Sequence, residues 1–164
     1  MRTLPLAACL LTLAGAVGCQ GSPPAPEGPA ASRARHVALR LRPGQDLRQE
    51  LLRAVDELGL SAVGVVTCVG SLTEVTLRYA NQPEPTRLEG HFEIVSLVGT
   101  LEPGGGHLHL ALSDGEGKTI GGHLLDGSQV YTTAEVVLVQ LDDLRFAREP
   151  DPQTTYRELV LQPR

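Results

Sequence analysis

The stretch HLHLALSDGEGKTIGGHLL, residues 107–125, has the pattern of two short strands joined by a polar turn. Its first arm alternates polar and apolar residues, which is the period-two pattern of a half-buried strand. Asp114 and the glycines that separate the arms are typical of a hairpin turn. The stretch therefore predicts a β-hairpin, and with it an antiparallel sheet.

Three histidines, His107, His109 and His123, occur in this hairpin. Because side chains alternate faces along a strand, His107 and His109 share one surface. A third imidazole from the second arm would complete a ligand set for a divalent transition metal, and zinc is the expected ion. Single histidines in strands are more often surface or hydrogen-bonded residues than ligands. The metal hypothesis therefore requires the three rings to converge.

The length of the turn decides whether they converge. A two-residue loop pairs Leu108 with His123 and places His123 on the opposite face. A three-residue loop over residues 115–117 pairs His109 with His123, and Gly117 can adopt the left-handed conformation that such a loop requires. A bulge at residues 121–122 would also place His123 on the same face as His107 and His109. The hypothesis thus predicts either the longer loop or the bulge.

One helix is predicted before the strand-rich part of the chain. Asp46 fits an N-cap position, and Gln49 completes a capping-box pattern. Gly59 fits the position just past the C-terminal end. The apolar residues recur at helical spacing and predict one buried face, formed by Leu47, Leu51, Val55 and Leu58.

Strand patterns account for most of the remaining chain. Predicted strands cover residues 37–42, 62–69, 74–79, 90–101, 108–112, 119–125 and 135–141. A last alternating run, residues 156–161, is expected to rejoin the sheet. One helix followed by many strands predicts an α/β fold of the α+β type, a mainly antiparallel sheet with one principal helix packed on it.

The N-terminal residues predict export. A basic start and an apolar run to Val17 are typical of a signal peptide, assigned to residues 1–18, and the run is too short to span a bilayer as a mature helix. The sequence Ala16-Val17-Gly18-Cys19 resembles a bacterial lipobox, although Ala16 stands where leucine is usual. In a lipobox the cysteine, here Cys19, is lipidated. Ordinary cleavage after Ala16 is the competing interpretation.

Residues 19–35 are rich in Pro, Ala, Gly and Ser and predict a flexible tether to a domain at residues 36–164. The resulting expectation is a membrane-anchored lipoprotein of the bacterial cell envelope. Under the alternative cleavage, the protein would be soluble in the periplasm or secreted.

The charge of the predicted domain disfavours nucleic-acid binding. The chain has a net charge of −5, and the part from residue 36 carries 11 basic and 18 acidic residues, a balance of −7. Non-specific DNA affinity comes mainly from basic groups that neutralise phosphates. The five Phe and Tyr residues are also too few for a platform on which bases stack.

Glu93 and Glu135 are acidic residues within predicted apolar strands. A buried, charged and unpaired carboxylate costs several kcal/mol. An edge position, or a pair with an arginine at a subunit interface, would explain each of them. They are also the candidate catalytic residues, either orienting a ligand histidine or accepting a proton from metal-bound water.

Five blocks occur in order along the domain: GSL at 70–72, GHFEIVSLVGT at 90–100, HLH at 107–109, GGHL at 121–124 and VYTTAEVV at 130–137. They resemble the blocks of the PPC domain, the plant and prokaryote conserved domain once called domain of unknown function 296. The resemblance implies a PPC-like fold with an antiparallel sheet, a homotrimer, and a metal site that maps onto His107, His109 and His123.

The activity that the resemblance implies is less specific. Plant members bind DNA through a separate AT-hook, and no Arg-Gly-Arg-Pro-type element occurs in these 164 residues. His91 also stands where the plant pattern has arginine. The favoured hypothesis is an exported, envelope-tethered, trimeric metal-binding module that binds a small molecule or a partner. A metal-dependent, hydrolase-like enzyme is the first alternative, and DNA binding, disfavoured by charge and export, is the second.

Overall fold

The computed structural model describes residues 28–164, which form one helix and eight strands. The predicted signal peptide, Cys19 and the tether as far as residue 27 lie outside the described residues. The elements are β1 (Ala34–Leu41), α1 (Leu47–Glu57), β2 (Val63–Arg78), β3 (Thr86–Glu102), β4 (Gly105–Ser113), β5 (Thr119–Leu124), β6 (Gln129–Leu141), β7 (Leu144–Pro150) and β8 (Arg157–Pro163).

Six strands form one antiparallel sheet in the order β1-β6-β2-β3-β4-β5. Strand β5 also pairs with the end of β2, through Leu77 with Leu124 and Arg78 with His123. The strands β2 to β5 therefore close into a ring, whose interior is filled mainly by leucine side chains. The prediction of a mainly antiparallel sheet with one helix is confirmed. The first strand begins two residues before the domain boundary that composition indicated.

Asp46 holds the start of α1 and the loop before β6 together. One carboxylate oxygen of Asp46 accepts a hydrogen bond from the Gln49 N–H at 3.0 Å, as an N-cap does. The other accepts from the N–H groups of Gly127 and Ser128, at 2.6 and 3.0 Å. The predicted cap is confirmed, and it also fixes the chain that leads into β6.

The C-terminal end of α1 is the predicted glycine. Gly59 has φ +59, and the Leu60 N–H donates to the Val55 carbonyl at 2.9 Å, the 6→1 hydrogen bond of a Schellman motif. The prediction that Leu58 belongs to the buried face is wrong, because Leu58 is 53% exposed. The chain turns at Gly59 and buries Leu60 instead.

The predicted strands 62–69 and 74–79 form the single strand β2, because Gly70 is not in a turn. A Cβ at Gly70 would lie 2.0 Å from the Thr133 carbonyl oxygen. Glycine at this position lets β2 and β6 approach closely, which is a common role of glycine inside a strand.

The prediction that residues 156–161 rejoin the main sheet is wrong. Within residues 28–164, strand β8 pairs only with β7, in a separate two-stranded sheet. The turn between them closes locally, with the Thr155 N–H donating to the Asp151 carbonyl at 2.8 Å. A short hairpin costs less loop-closure entropy than a return to a distant sheet edge.

The β7–β8 hairpin packs against the start of β2 and the end of β3. Phe146 and Leu144 bury their side chains against Ala62, and the Phe146 N–H donates to the Ser61 carbonyl at 2.8 Å. Arg148 forms an ion pair with Glu102 at 3.1 Å, and both side chains are largely buried. These contacts fix the hairpin against the start of β2 and the end of β3.

Candidate metal centre and adjoining cavity

The β4–β5 hairpin has the three-residue loop. His109 pairs with His123, and the ladder continues without a shift to Ser113 and Thr119. The Asp114 N–H donates to the Lys118 carbonyl at 3.0 Å, and Gly117 has φ +81. The bulge at residues 121–122 is therefore absent from this ladder, and all three rings lie on one face.

Two glycines let β5 fit between its neighbours. A Cβ at Gly121 would lie 2.8 Å from the Leu110 carbonyl oxygen on β4, and one at Gly122 would lie 2.7 Å from the Arg78 carbonyl oxygen on β2. Both distances are shorter than real Cβ contacts. The glycines thus permit the double pairing of β5 that places His123 between His109 and Arg78.

The three imidazoles converge. His107 Nε2 lies 3.0 Å from His109 Nε2 and 3.2 Å from His123 Nδ1. One ligand nitrogen from each ring can be chosen so that all lie within 4.8 Å of one another. Nitrogens that share a tetrahedral zinc ion at the usual bond length lie about 3.3 Å apart. The histidines therefore fit one divalent transition-metal ion.

The protonation chemistry of His107 Nε2 supports this fit. A ring nitrogen carries either one N–H or one lone pair in the ring plane. His107 Nε2 lies within hydrogen-bond distance of two other ring nitrogens and can satisfy only one of them. A shared cation would accept the lone pairs of all three rings at once.

Partial burial and nearby positive charge favour the neutral form of two of these rings. Burial lowers the pKa of His107, and the neighbouring His109 and Arg148 lower it further, while Glu158 opposes them. Burial, followed by the charge of Arg78, also lowers the pKa of His123. A neutral imidazole presents the lone pair that a metal ligand requires.

The structure does not bring Glu93 or Glu135 to the three histidines. Both carboxylates are exposed. Glu93 pairs with Ser113, four residues along β4 from His109, which is about 13 Å at the usual rise of a strand. Glu135 lies on β6, which pairs with neither β4 nor β5. Exposed strand positions explain both residues.

A cavity of about 700 Å³ adjoins the histidines. His107 and His123 form part of its wall, and its charged lining comes from elsewhere in the chain. The sequence did not predict these residues as a group. Arg78 stands at the end of a long apolar strand, and the others lie on α1, at the end of β3 and in the β7–β8 hairpin, far from Arg78 in the sequence. The charged residues of the lining are Arg48, Arg78, Glu102, Arg148, Arg157 and Glu158.

Residues 28–142 match the family model of the Plants and Prokaryotes Conserved (PCC) domain. A stretch of 128 residues, 78% of this chain, is 50% identical to part of the bifunctional protein GlmU of Synechococcus sp. (strain JA-3-3Ab). The match spans about a fifth of that protein, 21% of its length.

Two solved structures are similar to this fold. A hypothetical protein from Salmonella cholerae-suis is 47% identical with a TM-score of 0.81, and the match covers 82% of this chain and 98% of that one. A metal-containing protein from Archaeoglobus fulgidus is 25% identical with a TM-score of 0.69, and the match covers 78% and 95% of the two chains.

We expect Gly122→Ala to lower the melting temperature and to weaken zinc binding. Its Cβ would meet the Arg78 carbonyl oxygen at 2.7 Å, and the backbone shift that relieves such overpacking costs about 1–3 kcal/mol. Thermal unfolding followed by circular dichroism, together with a zinc titration, measures both effects.

Gly115→Ala is the matched control in the same hairpin, because a Cβ there meets open space. It should leave both quantities close to those of the unmodified protein. Equal melting temperatures for the two variants would contradict the close packing of β5 against β2.

Proposed function

Because this chain belongs to the Plants and Prokaryotes Conserved domain family, we propose that it is a metal-binding protein in which His107, His109 and His123 hold one divalent transition-metal ion. Zinc is the ion expected at three imidazoles. The observation that supports the proposal is the convergence of the three rings: His107 Nε2 lies 3.0 Å from His109 Nε2 and 3.2 Å from His123 Nδ1. The metal-containing protein from Archaeoglobus fulgidus, at 25% identity, is consistent with it.

The site is proposed to bind a small molecule. Three protein ligands leave a coordination position for water or a ligand, where a bound zinc ion supplies Lewis acidity. The adjoining cavity is within the size range of small-molecule sites. His107 and His123 belong both to the ligand set and to the cavity wall, so a molecule in the cavity would lie beside the ion.

A metal-dependent hydrolase is the second candidate function. Glu158 lines the same cavity, and its charge raises the pKa of His107, so its carboxylate acts on the site electrostatically. Glu158 is therefore better placed than Glu93 or Glu135 to accept a proton from water beside the histidines. The acidic balance of the domain continues to disfavour DNA as its partner.

The metal proposal predicts about one zinc ion per chain in the purified full-length protein, measured by elemental analysis. His109→Ala and His123→Ala each remove a proposed metal ligand. Because loss of a residue that only hydrogen-bonds to a ligand weakens metal binding by up to about 100-fold, each variant should weaken zinc binding by more than that. His91→Ala, which removes a histidine whose ring packs at a tilt against Tyr131 outside the triad, is the control and should retain the metal. A wild-type chain that binds no transition metal would overturn the proposal.

A homotrimer is the proposed assembly. Val66 and Val69 on β2 and Val95 and Val98 on β3 are each more than half exposed. They lie between two paired segments of the β2–β3 ladder, and Val98 pairs with His109 on β4. Exposed apolar residues grouped on neighbouring strands are typical of interaction surfaces. Assembly through this face would cover the valines beside the metal site.

Light scattering coupled to size exclusion should give a mass three times that of one chain. Val95→Asp should shift the protein toward the monomer, because assembly would bury an unpaired carboxylate. Leu159→Asp, a similar change on the exposed part of the β7–β8 hairpin, should leave the trimer intact. A monomeric wild-type protein would exclude this assembly.

Export and anchoring through a lipid on Cys19 are proposed from the sequence alone. No helix within the described part of the chain is long and apolar enough to cross a membrane.

Intact mass of the membrane-extracted protein should show a chain that begins at Cys19 and carries acyl chains. Cys19→Ala should abolish the lipid, whereas Cys9→Ala, in the predicted signal peptide, should not. A chain that begins at Val17 with an unmodified Cys19 would establish ordinary cleavage instead.

A further inference from the structure

The cavity beside the histidines has a positive wall in an acidic protein. Four arginines and two glutamates line it, whereas the chain as a whole has a net charge of −5. Two of the arginines are neutralised: Arg48 pairs with Asp126 at 2.6 Å, and Arg148 pairs with Glu102 at 3.1 Å. The charges that remain in the lining are the guanidinium groups of Arg78 and Arg157 and one carboxylate, that of Glu158, so the unpaired groups leave a net positive charge of one.

Arg78 is half-buried and makes no ion pair or side-chain hydrogen bond with any residue in 28–164. It pairs with His123 in the β2–β5 ladder, so the two side chains leave the sheet on the same face and lie close together. A guanidinium withdrawn from water without a partner is costly. Because Arg78 lines the cavity, its N–H groups are available to an acceptor on a ligand.

Arg157 supplies a second positive charge from the β7–β8 hairpin. Its guanidinium donates to the Arg148 carbonyl and has no carboxylate partner among the residues that the structure describes. The hairpin lies beyond residues 28–142, the part that matches the family model. This wall of the cavity is therefore built by residues outside the matched domain.

We infer that the cavity binds a small organic dianion carrying carboxylate or phosphate groups, with Arg78 holding one oxyanion and Arg157 supplying the second charge. The planar guanidinium fork matches the oxygens of either group. A volume of about 700 Å³ suits a molecule of metabolite size. The inference rests on the proposed function in one respect: a metal ion at the His107 and His123 end of the cavity would add positive charge that attracts the dianion.

Isothermal titration of the full-length chain tests this inference, with succinate and inorganic phosphate as probes and acetate as a monoanionic control. Each probe is titrated into the zinc-loaded and the metal-free protein. We expect at least one dianion to bind with a Kd of about 1 mM or tighter and acetate to bind at least tenfold more weakly. The succinate and phosphate arms distinguish carboxylate from phosphate recognition.

Arg78→Met should weaken binding of the dianion at least tenfold without changing zinc stoichiometry, and Arg157→Met should weaken it less, since Arg157 is exposed. Arg42→Met is the matched control, because Arg42 is an exposed arginine outside both cavity walls and should leave affinity unchanged. Melting temperatures verify that each variant folds. If Arg78→Met does not fold, Arg157→Met against Arg42→Met decides the result.

The two proposals fail separately. A protein that binds zinc but neither dianion at about 10 mM, with or without the metal, overturns the inference and leaves the metal site standing. A protein that binds no zinc but loses dianion affinity in Arg78→Met overturns the metal site and retains the anion contact. Equal dianion affinity in Arg78→Met and Arg42→Met overturns the role of Arg78. Tight binding of a DNA duplex at the same cavity, in place of the dianion, would also contradict the inference.

Discussion

The double pairing of β5 is the constraint on which the site depends. Strand β5 is only six residues long, yet it pairs with β4 on one side and with the end of β2 on the other. Because side chains alternate along a strand, a slip of one residue would turn His123 away from His109. Gly121 and Gly122 permit this fit, since a Cβ at either position would contact a neighbouring carbonyl oxygen. The geometry of the histidines is therefore a consequence of backbone packing.

The cavity depends on a different interaction, the buried ion pair between Arg148 and Glu102. The pair joins β7 to the end of β3, and Arg148 also donates to the Thr100 hydroxyl at 2.8 Å. Removing one member of a buried pair costs about 3–5 kcal/mol, because the other charge is left without a partner. The pair thus holds the β7–β8 hairpin in one position against the ring of strands. In that position Arg148, Arg157 and Glu158 form a wall of the cavity beside His107.

Local features were predictable from the sequence, whereas features made by distant contacts were not. The turn at Gly117, the cap at Asp46 and the helix end at Gly59 follow from residues a few positions apart, and the structure has all three. Gly70 has the same appearance in the sequence as a turn glycine, but its role is set by Thr133 on another strand. The lining of the cavity likewise joins residues from five parts of the chain, and no local pattern connects them.

Net charge and local charge give different information about this protein. A balance of −7 from residue 36 onward describes the field at a distance and argues against a polyanion that spreads over the surface. Inside the cavity the electrostatic field depends on which of the lining charges already have a partner, because salt screens charges that lie farther away. Arg48 and Arg148 have carboxylate partners, whereas Arg78 beside His123 has none in the part of the chain that the structure describes. An acidic protein can therefore carry a small cavity with unpaired positive charge, and the anion that we propose for it is a small molecule because the cavity holds only about 700 Å³.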